Sequence, residues 1–281
     1  MGSTLRLMTP ADVEIAASIA FAANARPCPA PAIRRYIELE PEGWFLALDG
    51  GEPAGIGGLT VFGDHGVVGL MATRPERQRR GIGGAVFARL MEVAEGRGLR
   101  TVSLDATDEG APLYRRHGFT EIDRTVVWER PSPAAPRPGH IAARELTRAD
   151  LAAAAALDRR AFGADRSRLL ALLLAAHPGR AAVAPGSAGP LRAYAIAQQE
   201  RVGPAVAEEP AAAEAVLDAV LRLSFEEPLR ILVPQSNAWA VPLLRGRGFV
   251  PGRSTRHMVR GEPVPPERRA RVLGLASFGL G

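Results

Sequence analysis

The stretch Gln78-Arg79-Arg80-Gly81-Ile82-Gly83-Gly84 joins two segments of different periodicity. Before it, Val67-Val68-Gly69-Leu70-Met71-Ala72 is a short apolar run bounded by turn residues, which predicts a buried strand. After it, Ile82, Val86, Leu90 and Val93 recur at spacings of four and three, the apolar face of a helix. A basic, glycine-rich turn therefore precedes a helix N-terminus. There the first backbone N–H groups lack intrahelical partners and the helix dipole is positive. Gly81 and Gly83 carry no Cβ, so an anion's oxygens can approach the main chain closely. Arg79 and Arg80 add attraction and direct contacts. The stretch reads as a phosphate cradle.

The spacing is neither G-x-x-x-x-G-K-[ST] nor a G-x-G-x-x-G closing a first βα unit. Gln-x-x-Gly-x-Gly after a strand resembles the pyrophosphate-binding signature of the GNAT superfamily of N-acetyltransferases, which bind acetyl-coenzyme A. Two further segments carry the resemblance. Thr73-Arg74-Pro75-Glu76 leads into the turn, and Ala111-Pro112-Leu113-Tyr114-Arg115-Arg116-His117-Gly118-Phe119 is similar to the family's later A-x-L-Y-x-x-x-G-F. The resemblance implies an α/β (α+β) fold, a mixed and mostly antiparallel twisted sheet flanked by helices. It also implies acetyl-CoA as acyl donor and direct attack by an amine, without an acyl-enzyme.

Site residues follow from the same resemblance. The backbone N–H near Met71 would polarise the thioester carbonyl, and the main chain at Ala72 and Thr73 would hold pantetheine. Gln78, Arg79, Arg80, Gly81, Ile82, Gly83 and Gly84 would cradle the pyrophosphate. Thr107 stands where many members have Asn and could still hydrogen-bond the cofactor. Tyr114 would act as general acid, because a phenol of pKa ~10 is protonated at neutral pH and can reprotonate a departing thiolate. A general base is not evident. Members using a carboxylate often carry Glu four residues before the oxyanion-binding position, and Val67 stands there. Asp64, His65, Asp105 and water stay open as alternatives. Trp44 reads as a core residue, with an acceptor-pocket wall as the alternative.

Length and composition set bounds on this reading. The 281 residues suffice for two ordinary domains. Hydrophobic and charged contents of 47% and 23% fit a soluble globular protein. One cysteine, Cys28, excludes an internal disulfide and suits a reducing cytoplasm. No signal peptide is visible at the start, and the apolar run at 169–176 is too short to span a bilayer. All 35 cationic residues are arginine, and the net charge of +5 divides as −2 up to Arg130 and +7 beyond it. No aromatic stripe accompanies the basic half, so a solvated face is expected there, with no nucleic-acid or membrane partner. No metal is expected.

In chain order, an edge strand at 4–8 is followed by Thr9 and Asp12, a capping-box pair, and a helix from Pro10 to about Ala23. A short helix near 32–39 comes next, then strands at 44–48 and 54–61 joined through Asp49-Gly50-Gly51, a hairpin signal. The cradle strand, its helix to Glu95, a strand at 101–104, the helix carrying Tyr114 and a strand at 125–129 complete the order β-α-α-β-β-β-α-β-α-β. Residues 131–140 are a proline-rich linker.

Beyond the linker the chain repeats itself. Thr9-Pro10-Ala11-Asp12 returns as Thr147-Arg148-Ala149-Asp150. An offset of 130 residues places Leu99-Arg100 on Leu229-Arg230, Pro112-Leu113 on Pro242-Leu243, and Gly118-Phe119 on Gly248-Phe249. Two tandem units are expected, a catalytic one at 1–130 and a degenerate one at 141–261, with a tail at 262–281. In the second unit Ala211, Ala212 and Ala213 replace Gly81, Ile82 and Gly83, Glu208-Glu209-Pro210 replace Gln78-Arg79-Arg80, and Leu244 replaces Tyr114. One acetyl-CoA per chain is therefore expected. The function expected is N-acetylation of a small-molecule or peptide amine by a cytoplasmic monomer or homodimer. The alternative is an acyl-CoA-binding regulatory or scaffold protein without turnover.

Overall fold

A computed structural model of the chain describes residues 3–24, 28–131, 143–185, 190–226 and 228–281. The linker expected at 131–140 lies, from residue 132 onward, outside the described residues. The first unit follows the expected order: β1 (Thr4–Leu7), α1 (Val13–Asn24), α2 (Ala30–Leu39), β2 (Trp44–Asp49), β3 (Glu52–Phe62), β4 (His65–Thr73), α3 (Ile82–Gly96), β5 (Thr101–Ala106), α4 (Ala111–Arg116) and β6 (Thr120–Arg130). The hairpin between β2 and β3 turns through Gly50 and Gly51, both at positive φ, which a two-residue loop of this type requires. Strand β6 is more than twice as long as expected, because its polar first half pairs with a strand of the second unit.

The second unit repeats the sequence of elements: β7 (Arg144–Glu145), α5 (Leu151–Phe162), α6 (Ser167–Ala176), β8 (Ala181–Pro185), β9 (Leu191–Ala197), β10 (Arg201–Ala207), α7 (Pro210–Val220), β11 (Leu229–Pro234), α8 (Ala240–Arg245) and β12 (Val250–Gly261). A short helix α9 (Pro266–Arg269) and strand β13 (Val272–Gly274) form the tail. The repeat extends to side-chain detail. Arg6 bridges Asp12 at 2.6 Å and Arg144 bridges Asp150 at 2.6 Å, each carboxylate also accepting from the threonine that caps its turn.

The two units do not have separate sheets. The described strands form one thirteen-stranded sheet, ordered β1-β2-β3-β4-β5-β12-β6-β11-β10-β9-β8-β7, with β13 paired to β10. Strand β12 of the second unit lies between β5 and β6 of the first, and β6 lies between β12 and β11 of the second. The last strands of the two units are thus exchanged. The boundary at residue 130 divides the chain but not the sheet.

Helices cover both faces. On one face α3 buries Ile82, Val86, Phe87, Leu90 and Met91 against β2–β5, the period-3.6 stripe expected of it. Helix α7 does the same for the second unit with a smaller, alanine-rich stripe. On the other face α1, α2, α5 and α6 share a single core with the tail, in which Ile19, Tyr36, Leu157, Leu169, Tyr194 and Leu280 all take part. Among the described residues no helix is long and apolar enough to cross a membrane.

Candidate functional site

Strands β4 and β5 run parallel and pair from His65–Thr101 to Val68–Leu104, and the pairing stops there. Just beyond, Leu70 adopts φ +52, a region unfavourable to a branched side chain, and the β3–β4 register shifts between Ile56 and Gly58. This bulge swings β4 away from β5 and opens a wedge between them. Main-chain groups of residues 69–73 on the β5 side consequently have no strand to pair with.

The cradle lies at the end of β4. Gly81 is the N-cap of α3 at φ +82, and Arg79 turns the chain at φ +61. The Gln78 side-chain amide donates to the Thr73 carbonyl at 3.2 Å, tying the turn to the strand. A Cβ built on Gly81 or Gly84 meets no atom within 4 Å, and one on Gly83 would meet only Thr73 Oγ1 at 3.6 Å. The space in front of the first turn of α3 is open, as a bound anion requires. Arg80 is half engaged there, at 3.3 Å from Asp49, which also binds Arg77 at 2.8 Å.

From the wedge a cavity of about 300 Å³ extends across the sheet. Leu70 and Met71 border it on β4, Asp105 on β5, and Thr107, Gly110 and Tyr114 at the start of α4. Tyr114 is 8% exposed, with its ring edge-on to Phe87 at 4.9 Å, and burial pushes its phenol up to about 12. Thr107 Oγ1 accepts from the Gly110 N–H at 3.2 Å, holding the turn that leads into α4 while bordering the cavity. The structure brings Met71, Thr107 and Tyr114 to one cavity, and Gln78 to Gly84 to the turn beyond it.

The three candidate bases separate. Asp64 sits in an exposed turn near Arg100, 3.7 Å away. His65 is buried, hydrogen-bonded to Ser103 at 2.8 Å and stacked on Phe162 at 4.9 Å. Both precede Met71 by six residues or more, roughly 20 Å along a strand, so they lie at the far end of β4 from the wedge. As candidate bases for an amine beside Met71 both are set aside on that ground. Asp105 alone of the three borders the cavity, where it accepts from Thr255 at 3.1 Å and lies 3.3 Å from His257 Nδ1. Burial acts to raise its carboxyl, but His257 and Arg269 outweigh it and hold Asp105 below the usual carboxylate range. Val67 is core.

Two other residues resolve simply. Trp44 is core, 1% exposed and stacked on Tyr36 at 4.7 Å. Cys28 borders the cavity, and burial pushes its thiol up to about 11, leaving it protonated and unreactive.

The far wall of the cavity comes from the second unit and the tail, and no sequence signal points to it. Arg201 (β10), Arg230 (β11) and Arg253 (β12) border it together with Ser277, Phe278 and Gly279. A sequence reading sees these as scattered surface arginines and an apolar terminus, because the strand exchange that unites them is invisible in it.

The second unit's counterpart of the cradle is closed. Helix α7 starts directly at Pro210 behind Glu209, with no left-handed glycine. Ala212 and Ala213 are fully buried. Glu208 holds the adjacent position and binds Arg160 at 2.8 Å and Arg192 at 2.6 Å. A carboxylate of the chain itself takes the arginines that an incoming anion would need.

Comparison with known proteins agrees with this duplication. The acetyltransferase (GNAT) family matches residues 13–119, and an acetyltransferase (GNAT) domain matches residues 154–274. The chain belongs to the GNAT acetyltransferase family. This tandem GNAT chain is similar over its whole length to a crystal structure of a Pyrococcus horikoshii protein assigned to the acetyltransferases. The TM-score is 0.87 at 27% identity, covering 100% of this chain and 96% of that one. A GCN5-related N-acetyltransferase from Sphaerobacter thermophilus shares the fold, with TM-score 0.67 at 17% identity over 92% of this chain and 95% of that one. Among curated proteins, mycothiol acetyltransferase of Streptomyces bingchenggensis (strain BCW-1) is 34% identical over 94 residues, 32% of this chain and 30% of that protein. The uncharacterized N-acetyltransferase YedL of Escherichia coli (strain K12) is 32% identical over 81 residues, 27% of this chain and 51% of that protein. The chain thus spans 30% and 51% of the lengths of these two curated relatives.

Proposed function

We propose that the first unit transfers an acetyl group from acetyl-CoA directly to an amine. One observation carries this reading: a single cavity opening at Leu70 is bordered by both Met71 and Tyr114, and β4 runs on from Met71 into the glycine turn that starts α3. Acetyl-CoA, when bound, supplies a thioester carbonyl open to attack. The Gln78–Gly84 turn binds the pyrophosphate through main-chain N–H groups and the α3 dipole. The unpaired main chain at Met71, Ala72 and Thr73 aligns pantetheine, and the Met71 N–H polarises the carbonyl.

As the C–N bond forms and the C–S bond breaks, Tyr114 donates its proton to the departing sulfur. Its phenol is protonated at every working pH, and the dry site that raises it also raises the basicity of the thiolate it serves. Asp105 is ionised at neutral pH and too weak a base to deprotonate an alkylammonium. It attracts the ammonium, and the amine's proton leaves through water.

The test is a panel of amines incubated with acetyl-CoA, with released thiol measured. Release with one class of amine supports transfer. Tight acetyl-CoA binding with no release across the panel would favour the binding-protein reading.

A further inference from the structure

The cavity has two chemically distinct ends. Beside Met71 and Tyr114 the one acidic side chain bordering it is Asp105. Across the seam the bordering charges are Arg201, Arg230 and Arg253, all from the second unit. Arg201 and Arg230 are register partners on parallel β10 and β11. Their side chains therefore leave the same face of the sheet about 5 Å apart. Like charges side by side on a sheet are destabilising, and half-burying guanidinium groups adds a desolvation cost. Each has a carboxylate of its own: Arg201 binds Glu200 at 2.7 Å and Arg230 binds Glu129 at 3.1 Å through Nε. Neither glutamate borders the cavity. Arg253 lies over the Phe278 ring at 5.2 Å, on the tail that forms the cavity's lid.

Strand geometry gives the separation of the two ends. Arg253 is on β12, the neighbour of β5, while Arg230 is on β11, three strands from Asp105. At about 4.8 Å per strand these lie roughly 5 and 14 Å across the sheet from the Asp105 strand, and Arg253 lies a further four residues, about 13 Å, along β12 from His257, the register partner of Asp105. Val127 on β6 and Leu232 on β11 floor the interval with apolar surface. The arrangement fits a molecule with a cation at one end, an apolar middle, and an anion at the other. Guanidinium groups are suited to planar or tetrahedral oxyanions because their N–H donors bind two oxygens at once.

We infer that the acceptor is an amine that also carries an oxyanion, a carboxylate or a phosphate, several bonds from its nitrogen. Arg201, Arg230 and Arg253 hold that oxyanion while the amine meets the thioester beside Met71. The second unit, without a cradle of its own, is then the half that selects the acceptor. This rests on the acetyltransferase reading above.

The experiment uses the full chain and four acceptors of one length: 6-aminohexanoate, its methyl ester, 6-aminohexyl phosphate and 1,6-diaminohexane. Thiol release from acetyl-CoA gives kcat/KM for each. The acid or the phosphate is expected to exceed the ester and the diamine by tenfold or more, mainly through KM, and the better of the two identifies the oxyanion. In Arg230→Gln and Arg253→Gln the anion-over-ester ratio is expected to fall toward one. Equal or better turnover of the ester or diamine, or a ratio unmoved in both variants, overturns the inference. If no amine releases thiol, the transfer reading fails on its own. The oxyanion site is then read by calorimetric titration with N-acetyl-6-aminohexanoate and N-acetyl-6-aminohexyl phosphate beside the methyl ester of the acid. Tighter binding of either anion that weakens tenfold in Arg230→Gln sustains the site, and equal binding of both anions and the ester removes it.

Discussion

Gly69 of β4 and Gly279 of the tail are in backbone contact: a Cβ on Gly69 would lie 2.4 Å from the Gly279 Cα. Nothing larger than glycine fits between the strand that opens the wedge and the segment that roofs the cavity. The tail is held there by the Tyr36 hydroxyl donating to Ser277 at 2.9 Å. Buried Arg166 donates to the Leu280 and Gly281 carbonyls at 3.0 and 2.7 Å. Gly69→Ala is therefore expected to cost about 1–3 kcal/mol, as overpacking does, and to raise KM for the amine by displacing Phe278 and Gly279. Urea unfolding and acceptor kinetics check both, and a variant with parental stability and KM would show that the tail adapts.

The cradle's open space makes a sharper expectation for cofactor binding. Gly83→Val puts its first added atom 3.6 Å from Thr73 Oγ1, an ordinary contact, so the fold should survive. The remaining bulk projects where phosphate oxygens would lie, and acetyl-CoA affinity should drop tenfold or more, about 1.4 kcal/mol. Calorimetry on the parent should give one site per chain, because Glu208 and its arginines close the second unit's counterpart. Two sites, or a strong site surviving in the variant, would mean that α7 binds cofactor.

Tyr114→Phe keeps the ring against Phe87 and removes only the hydroxyl. Turnover should fall roughly 10²-fold with acetyl-CoA affinity nearly unchanged. Because burial holds the phenol up to about 12, the parent's rate should show no decline between pH 7 and about 10 from loss of this proton. Turnover within a factor of about two of the parent would reduce Tyr114 to packing.

Buried His65 predicts acid sensitivity. Burial and the neighbouring charge on His257 push its imidazole down to about 3 from 6.5. Above about pH 6.5 neither folded nor unfolded chain protonates it. Below that the unfolded chain takes up a proton that the folded one refuses, so stability falls from pH 6.5 toward pH 3. By pH 5 the loss from this residue alone is about 2 kcal/mol. Chemical unfolding at pH 7.5 and pH 5 measures it. His65→Gln, which can still bond Ser103, should show a smaller difference between the two, and an equal difference would assign the acid sensitivity elsewhere.

Local signals in the sequence determined the elements of the first unit, the hairpin at Gly50-Gly51, the glycine turn at α3 and the loss of that turn in the second unit. Each depends on neighbours within a few residues: periodicity, a left-handed glycine, a missing N–H at Pro210. The 130-residue offset likewise disclosed the duplication, since repeated side chains at one spacing need no structure to be seen. Tertiary structure alone decided the rest. The bulge at Leu70 carries β4 away from β5, and no residue type marks it. That Asp105 borders the cavity while His65 does not depends on which end of β4 faces the wedge. The three arginines meet because β12 and β6 trade places between the units, pairing residues 120–130 with residues from about 229 to 259. Such long-range pairing is fixed by the closing of one shared sheet, and a chain read along its length carries no local record of it.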